Sequence, residues 1–137
     1  MNSSFPYEVK SSVIFKFVRR PIAFVDFWSE KFNRFVRDTL IVDTGADYTI
    51  LPKYFSKTLG INLEKDCIQY ISKGIGGKEK VYVMKAKIIV MIGGVKRKIP
   101  VGFLNHDDIP PLLGREECLD TFKLIFENFT TTISSDG

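Results

Sequence analysis

The sequence predicts an all-β fold, a closed barrel or a sandwich, on three observations. Short runs rich in Val, Ile and Phe recur along the chain; Gly, Pro and polar clusters break them at short intervals; and only two brief stretches carry helix signals. At 137 residues the chain is expected to be a single domain, with a core over about 12–127 and flexible tails at 1–11 and 128–137. It shows no repeat, low-complexity block or linker.

Val13 to Val18 alternates Val13, Phe15 and Phe17 against Ile14, Lys16 and Val18, which predicts a first strand. Pro21 interrupts it, having no N–H for a ladder. Ile22 to Trp28 predicts a second strand that turns at Ser29-Glu30-Lys31 and returns as Phe32 to Val42. Phe24, Phe27, Trp28, Phe32 and Phe35 also satisfy helical spacing, but the enrichment in Phe, Val and Ile favours strands. Tyr48 to Leu51 predicts a short strand. Pro52 then opens a brief helix, Lys53 to Leu59, which Gly60 ends. Ile68 to Ser72 and Val81 to Met84 flank Lys73-Gly74-Ile75-Gly76-Gly77-Lys78, a glycine-rich hairpin tip whose single large apolar side chain is Ile75. Lys85 to Ile92 and Val95 to Leu104 predict another hairpin around Gly93-Gly94, two glycines suited to the positive φ of a primed turn. Pro110-Pro111-Leu112-Leu113-Gly114 leads into a short helix from Arg115 to about Thr121, with Cys118, Leu119 and Phe122 facing inward. Lys123 to Glu127 closes the fold, followed by a polar tail.

Composition narrows the function. The net charge of +4, from 20 basic and 16 acidic residues, is modest and scattered, apart from Arg19-Arg20 and Lys96-Arg97-Lys98. It reads as solvated strand edges, and the abundant Phe as core, so no nucleic-acid partner is expected. Cys67 and Cys118 lack metal-ligand spacing, and with one histidine, His106, no metal site is expected; both cysteines read as buried free thiols. No segment has the apolar core of a signal peptide or the length of a membrane span, so a cytoplasmic protein with no membrane partner is expected.

The chemistry is concentrated in Leu40-Ile41-Val42-Asp43-Thr44-Gly45-Ala46, an apolar strand that ends in Asp-Thr-Gly-Ala. Such a strand delivers one carboxylate into a tight glycine turn. Activating water between carboxylates needs two. Asp38-Thr39 is followed by Leu40 and Asp120-Thr121 by Phe122, so neither repeats the glycine turn. If Asp43 is catalytic, its partner is Asp43 of another copy.

Asp43-Thr44-Gly45-Ala46, the Gly74-Ile75-Gly76-Gly77 hairpin tip and Leu112-Leu113-Gly114-Arg115 follow one another in this order. Together they resemble the retropepsins, the single-domain aspartic peptidases of retroviruses and their cellular relatives. The resemblance spans roughly Leu40 to Phe122. It implies a closed barrel of the retropepsin type with one or two short helices, and a homodimeric endopeptidase acting on peptide or protein substrates without a cofactor. Asp43 would be catalytic, with Thr44 clamping the two active-site loops together. Gly45 would let the backbone approach the carboxylates, and a small Ala46 would let substrate pass. Asp47 and Arg115 match an ion pair bracing the loop. Tyr48, Ile50, Pro110 and Leu112 match subsite positions, and Gly74, Ile75, Gly76 and Gly77 match the flap, with Ile75 at its tip.

The sequence departs from the family in extra length at both ends, in Lys73 where the flap has glycine, and in a bulky Tyr48. The alternative is a retropepsin-like dimerisation or peptide-binding domain with little or no turnover. The intact Asp43-Thr44-Gly45 favours the enzyme, because a structural interface has no need of a carboxylate.

Overall fold

The computed structural model describes residues 2–74 and 77–135. The strands, in chain order, are β1 (Asn2–Pro6), β2 (Glu8–Ser12), β3 (Lys16–Arg20), β4 (Ile22–Ser29), β5 (Arg34–Val42), β6 (Thr49–Leu51), β7 (Cys67–Gly74), β8 (Gly77–Met84), β9 (Ile88–Ile92), β10 (Val95–Ile99), β11 (Val101–Leu104), β12 (Leu112–Leu113), β13 (Lys123–Glu127) and β14 (Thr130–Ser134). Two short helices, α1 (Tyr54–Thr58) and α2 (Leu63–Asp66), lie between β6 and β7. The fold is mainly β, as expected. Among the described residues no helix is long and apolar enough to cross a membrane.

Nine strands form one sheet in the order β10-β9-β4-β5-β12-β6-β11-β8-β7. The sheet is open, which corrects the closed barrel. Its edges are β10, which carries Lys96, Arg97 and Lys98, and β7, whose Ile68, Tyr70 and Ile71 are exposed; among the described residues no ladder joins the two. Charge along an edge strand disfavours further pairing. A separate sheet, β1-β14-β13, contributes Phe5 and Ile133 to the core and sets Phe5 edge-on to Phe24, with ring centroids 5.6 Å apart. Asn2–Pro6, Glu8–Ser12 and Thr130–Ser134, within the segments that the sequence reads as tails, form strands. Thr130–Ser134, which reads as polar tail, is the central strand of this sheet because Thr131 and Ile133 alternate inward.

β4 and β5 pair antiparallel from Ile22↔Ile41 to Ser29↔Arg34, and Ala23, Val25, Phe27 and Ser29 alternate into the core. That period of two settles the helix-or-strand ambiguity of the Phe-rich segment. Ser29 Oγ ties the turn, accepting from Phe32 N–H and donating to the Leu59 carbonyl. α1 covers the core with Phe55 and Leu59, Phe55 meeting Phe27 edge-on at 5.2 Å. Gly93 and Gly94, with φ of 57° and 84°, make the turn expected between β9 and β10. Pro100 then splits the long strand expected from Val95 to Leu104 into β10 and β11.

Two other expectations are corrected. Val13, Ile14 and Phe15 are not strand but the turn of the β2–β3 hairpin, where Ser12 Oγ accepts the Ile14 and Phe15 N–H groups and Lys16 takes φ of 63°. The segment from Arg115 is a chain of turns ending in a single 3-10 turn, Leu119–Thr121. Glu117, at φ of 52°, leaves the right-handed helical region and breaks the helix expected there.

Candidate active site

Asp43 follows the last residue of β5, where the strand's apolar side chains, Leu40 and Val42, are buried and hold it in register. Its carboxylate accepts a hydrogen bond from the Gly45 N–H at 2.9 Å, and its carbonyl accepts the Ala46 N–H at 3.1 Å, so the chain reverses tightly around the acid. A Cβ at Gly45 would stand 3.3 Å from Asp43 Oδ1, so glycine keeps that space open. Thr44 is exposed on the turn, and its hydroxyl has no partner among the described residues.

The loop is held from below by β12. This strand lies between β5 and β6, parallel to the first through Leu112↔Ile41 and Leu113↔Val42, and antiparallel to the second through Leu112↔Ile50. Leu113 carbonyl accepts the Asp43 N–H at 3.0 Å. The following residues continue the grip, with Arg115 N–H donating to the Ala46 carbonyl at 3.0 Å and Glu116 N–H to the Asp47 carbonyl at 2.7 Å. Gly114 makes this possible: a Cβ there would lie 2.3 Å from the carbonyl carbon and oxygen of Tyr48. The Gly114 N–H in turn donates to Oγ1 of the fully buried Thr49 at 3.2 Å.

Asp43 thus stands at a strand end, inside a glycine turn whose backbone is fastened to Leu113 and Arg115. The family model for aspartyl proteases matches residues 34–116, more than half of the chain and the whole of this region. The chain belongs to the aspartyl protease family. No curated protein matches it.

In this family member, Asp47 and Arg115 lie together, with Nη2 3.0 Å from Oδ1, but in the open. Their side chains are 79% and 40% exposed, and Arg115 Nη1 also lies 3.7 Å from Asp120. Water screens such a pair. The backbone bonds from Arg115 and Glu116, rather than the ion pair, are the firmer connection to the loop.

The expected subsite positions separate. Ile50 and Leu112 face each other across β6 and β12, both half-buried. Tyr48 lies with its ring over Gly102 of β11, where a Cβ would come within 2.7 Å of the ring. Burial, with Asp47 nearby, pushes the Tyr48 phenol up from its ordinary range. Pro110 is exposed and lines a cavity of about 330 Å³ with Pro111, Ile41 and Ile22, on the other side of β12 from Tyr48.

Gly74 and Gly77 end β7 and β8 and pair with each other, while Ile75 and Gly76 lie outside the described residues. β8 pairs with β11 only from Val81 to Val83, so the outer half of the β7–β8 hairpin extends past the sheet. A side-chain contact ties it back, between His106, in the loop after β11, and Glu79.

Sequence reasoning passed over Thr49 and Glu79. The signal for Thr49 was a lone hydroxyl in the apolar run Tyr48 to Leu51; Glu79 and His106 carried none, because only the topology brings them together. Cys67 and Cys118 are buried free thiols, as expected, and desolvation pushes them up to about 11 and about 12. Among the described residues no group of three or more His, Cys, Asp or Glu side chains is placed to hold a metal ion.

Proposed function

We propose that this chain is an aspartic endopeptidase whose active site forms when two copies bring their Asp43 residues together. The observation that carries the reading is the Asp43 loop itself. It presents one partly exposed carboxylate, held by the Gly45 N–H, on a backbone fastened to Leu113, Arg115 and Glu116. A fold that spends this much hydrogen bonding on positioning a single acid, in a family of aspartyl proteases, has a use for that acid.

Two carboxylates within hydrogen-bond distance cannot both ionise easily, so the pair holds one proton. The ionised member takes a proton from water as the water oxygen attacks the peptide carbonyl carbon. The protonated member gives its proton to the carbonyl oxygen. Collapse of the resulting diol, with a proton delivered to the amide nitrogen, breaks the C–N bond. Thr44, exposed and without a partner among the described residues, would bond the other copy's loop and keep the carboxylates coplanar. Extended peptide would lie over Ala46, with Ile50, Leu112 and Tyr48 offering apolar contact, Pro110 flanking them, and the β7–β8 hairpin closing above.

Digestion of a peptide library at several pH values by wild type and by Asp43→Asn tests this. The wild type is expected to cleave with a bell-shaped, acid-favoured profile, because activity fails when both carboxylates are protonated or both ionised. Asp43→Asn is expected to fold normally and lose turnover by at least a hundredfold. Equal cleavage by the two proteins would end the assignment.

A further inference from the structure

Among the described residues the β2–β3 hairpin is a two-stranded sheet of its own. Its strands pair only with each other, and a lone two-stranded ladder is marginal in water. Loop tips are ordinarily polar, yet this one is Val13-Ile14-Phe15, with exposures of 105%, 82% and 72%. Val9 and Phe17, on one face of the ladder, are exposed as well. Scattered apolar side chains on a surface need no explanation, but a contiguous apolar tip on a two-stranded arm does.

The root of the arm lies beside the catalytic strand. Pro21, which joins β3 to β4, accepts the N–H of Val42, the residue before Asp43. Glu8 and Arg20, at the base of the hairpin, share a cavity with Ile41 and Pro110. Five strand residues span roughly 17 Å, so the tip reaches well beyond the body of the chain.

Along the arm, Val9, Phe17 and Arg19 form with Phe129 a groove of about 520 Å³, where the Arg19 guanidinium lies 4.4 Å from the Phe129 ring centroid. The tip cannot fold back onto its own ladder to fill this groove. The tip of another copy can.

We infer that the β2–β3 hairpin is a docking arm for a second copy of this chain, with Val13, Ile14 and Phe15 of each copy seated in the Val9–Phe17–Phe129 groove of the other. The contact is isologous and closes on itself, so it makes a dimer and not a filament. The inference rests on the shared-site reading, since an enzyme with one Asp43 per chain needs a second copy and the arm leaves the body next to that residue. It adds the element that holds the copies together.

Sedimentation equilibrium on the full chain tests it, comparing wild type with Ile14→Asp/Phe15→Asp at the tip and Phe17→Asp in the groove. Each variant is expected to raise the dimer dissociation constant by about 30-fold or more, the loss that marks a binding hot spot. Melting of the dilute monomers is expected to be unchanged, because these side chains are exposed. Mixed chains carrying Ile14→Cys and Phe17→Cys are expected to form a disulfide with each other, the native cysteines being buried. Variants that dimerise as wild type does, or Ile14→Cys chains that couple only to themselves, would overturn the docking arm and leave the shared site standing. A wild type that cleaves peptide without self-association would overturn both.

Discussion

A methyl group at Gly114 would meet the Tyr48 backbone at 2.3 Å, whereas the Arg115 side chain beside it pairs with Asp47 in the open. These neighbours make opposite predictions. Gly114→Ala forces β12 away from the active-site loop, and we expect it to cost about 3 kcal/mol or more and to abolish activity. Arg115→Ala removes a screened ion pair but keeps the backbone bond to Ala46, so it should cost about 1 kcal/mol or less and leave most activity in place. Thermal melts and peptide cleavage check both; an Arg115→Ala protein as damaged as Gly114→Ala would restore the ion pair to the bracing role the resemblance implied.

Asp38, on β5, supplies a pH-dependent test. Burial pushes its carboxyl up from the usual aspartate range, opposed by the Thr39 N–H, and Oδ2 is buried without a partner among the described residues. The folded chain therefore holds this proton more tightly than the unfolded chain. Ionisation then lowers stability as pH rises from the ordinary aspartate range through the raised folded value. Asp38→Asn removes that cost. Its melting temperature should exceed that of wild type at neutral pH, and the gain should vanish in acid below the ordinary aspartate range; a gain independent of pH would show that the charge is not its source.

At the scale of elements, the β7–β8 hairpin has its outer half beyond the sheet, tied by His106 and Glu79. Both side chains are more than one-third exposed, so the tie is weak. His106→Ala should speed amide hydrogen exchange at Lys78 and Lys80 by about fivefold at most, with no change in the melt. Unchanged exchange would show that the pairing of β7 with β8 alone holds the hairpin.

What the sequence revealed follows the range of the interactions. The β4–β5 hairpin, α1 and the Asp43 turn are local, and each carried its own signal in period, Pro52, Gly60 or Asp-Thr-Gly. Glu117 carried none, because glutamate favours helices and only its left-handed backbone breaks one here. Val13 to Phe15 misled for the reverse reason, since strong β formers occupy a turn. The insertion of β12 between β5 and β6, and the place of β14 between β1 and β13, join segments far apart in the chain. No local pattern announces such contacts. Leu112-Leu113-Gly114 became legible as part of the site only through the family resemblance, whereas its steric reason, the Tyr48 backbone against Gly114, belongs to the folded chain.

For the whole molecule, an open nine-stranded sheet carries a single Asp43 loop at the end of a central strand, with an apolar arm rooted beside it. On the proposed function, two chains make one active site. Mixing wild type with excess Asp43→Asn, under conditions that exchange subunits, tests it most directly. Heterodimers would hold one aspartate and one asparagine, so cleavage per wild-type chain should fall in proportion to the wild-type chains trapped in them, and specific activity of wild type alone should rise with concentration through the dimer dissociation constant. Undiminished activity after proven exchange, or full activity from a chain that light scattering shows to be monomeric, would contradict the shared site.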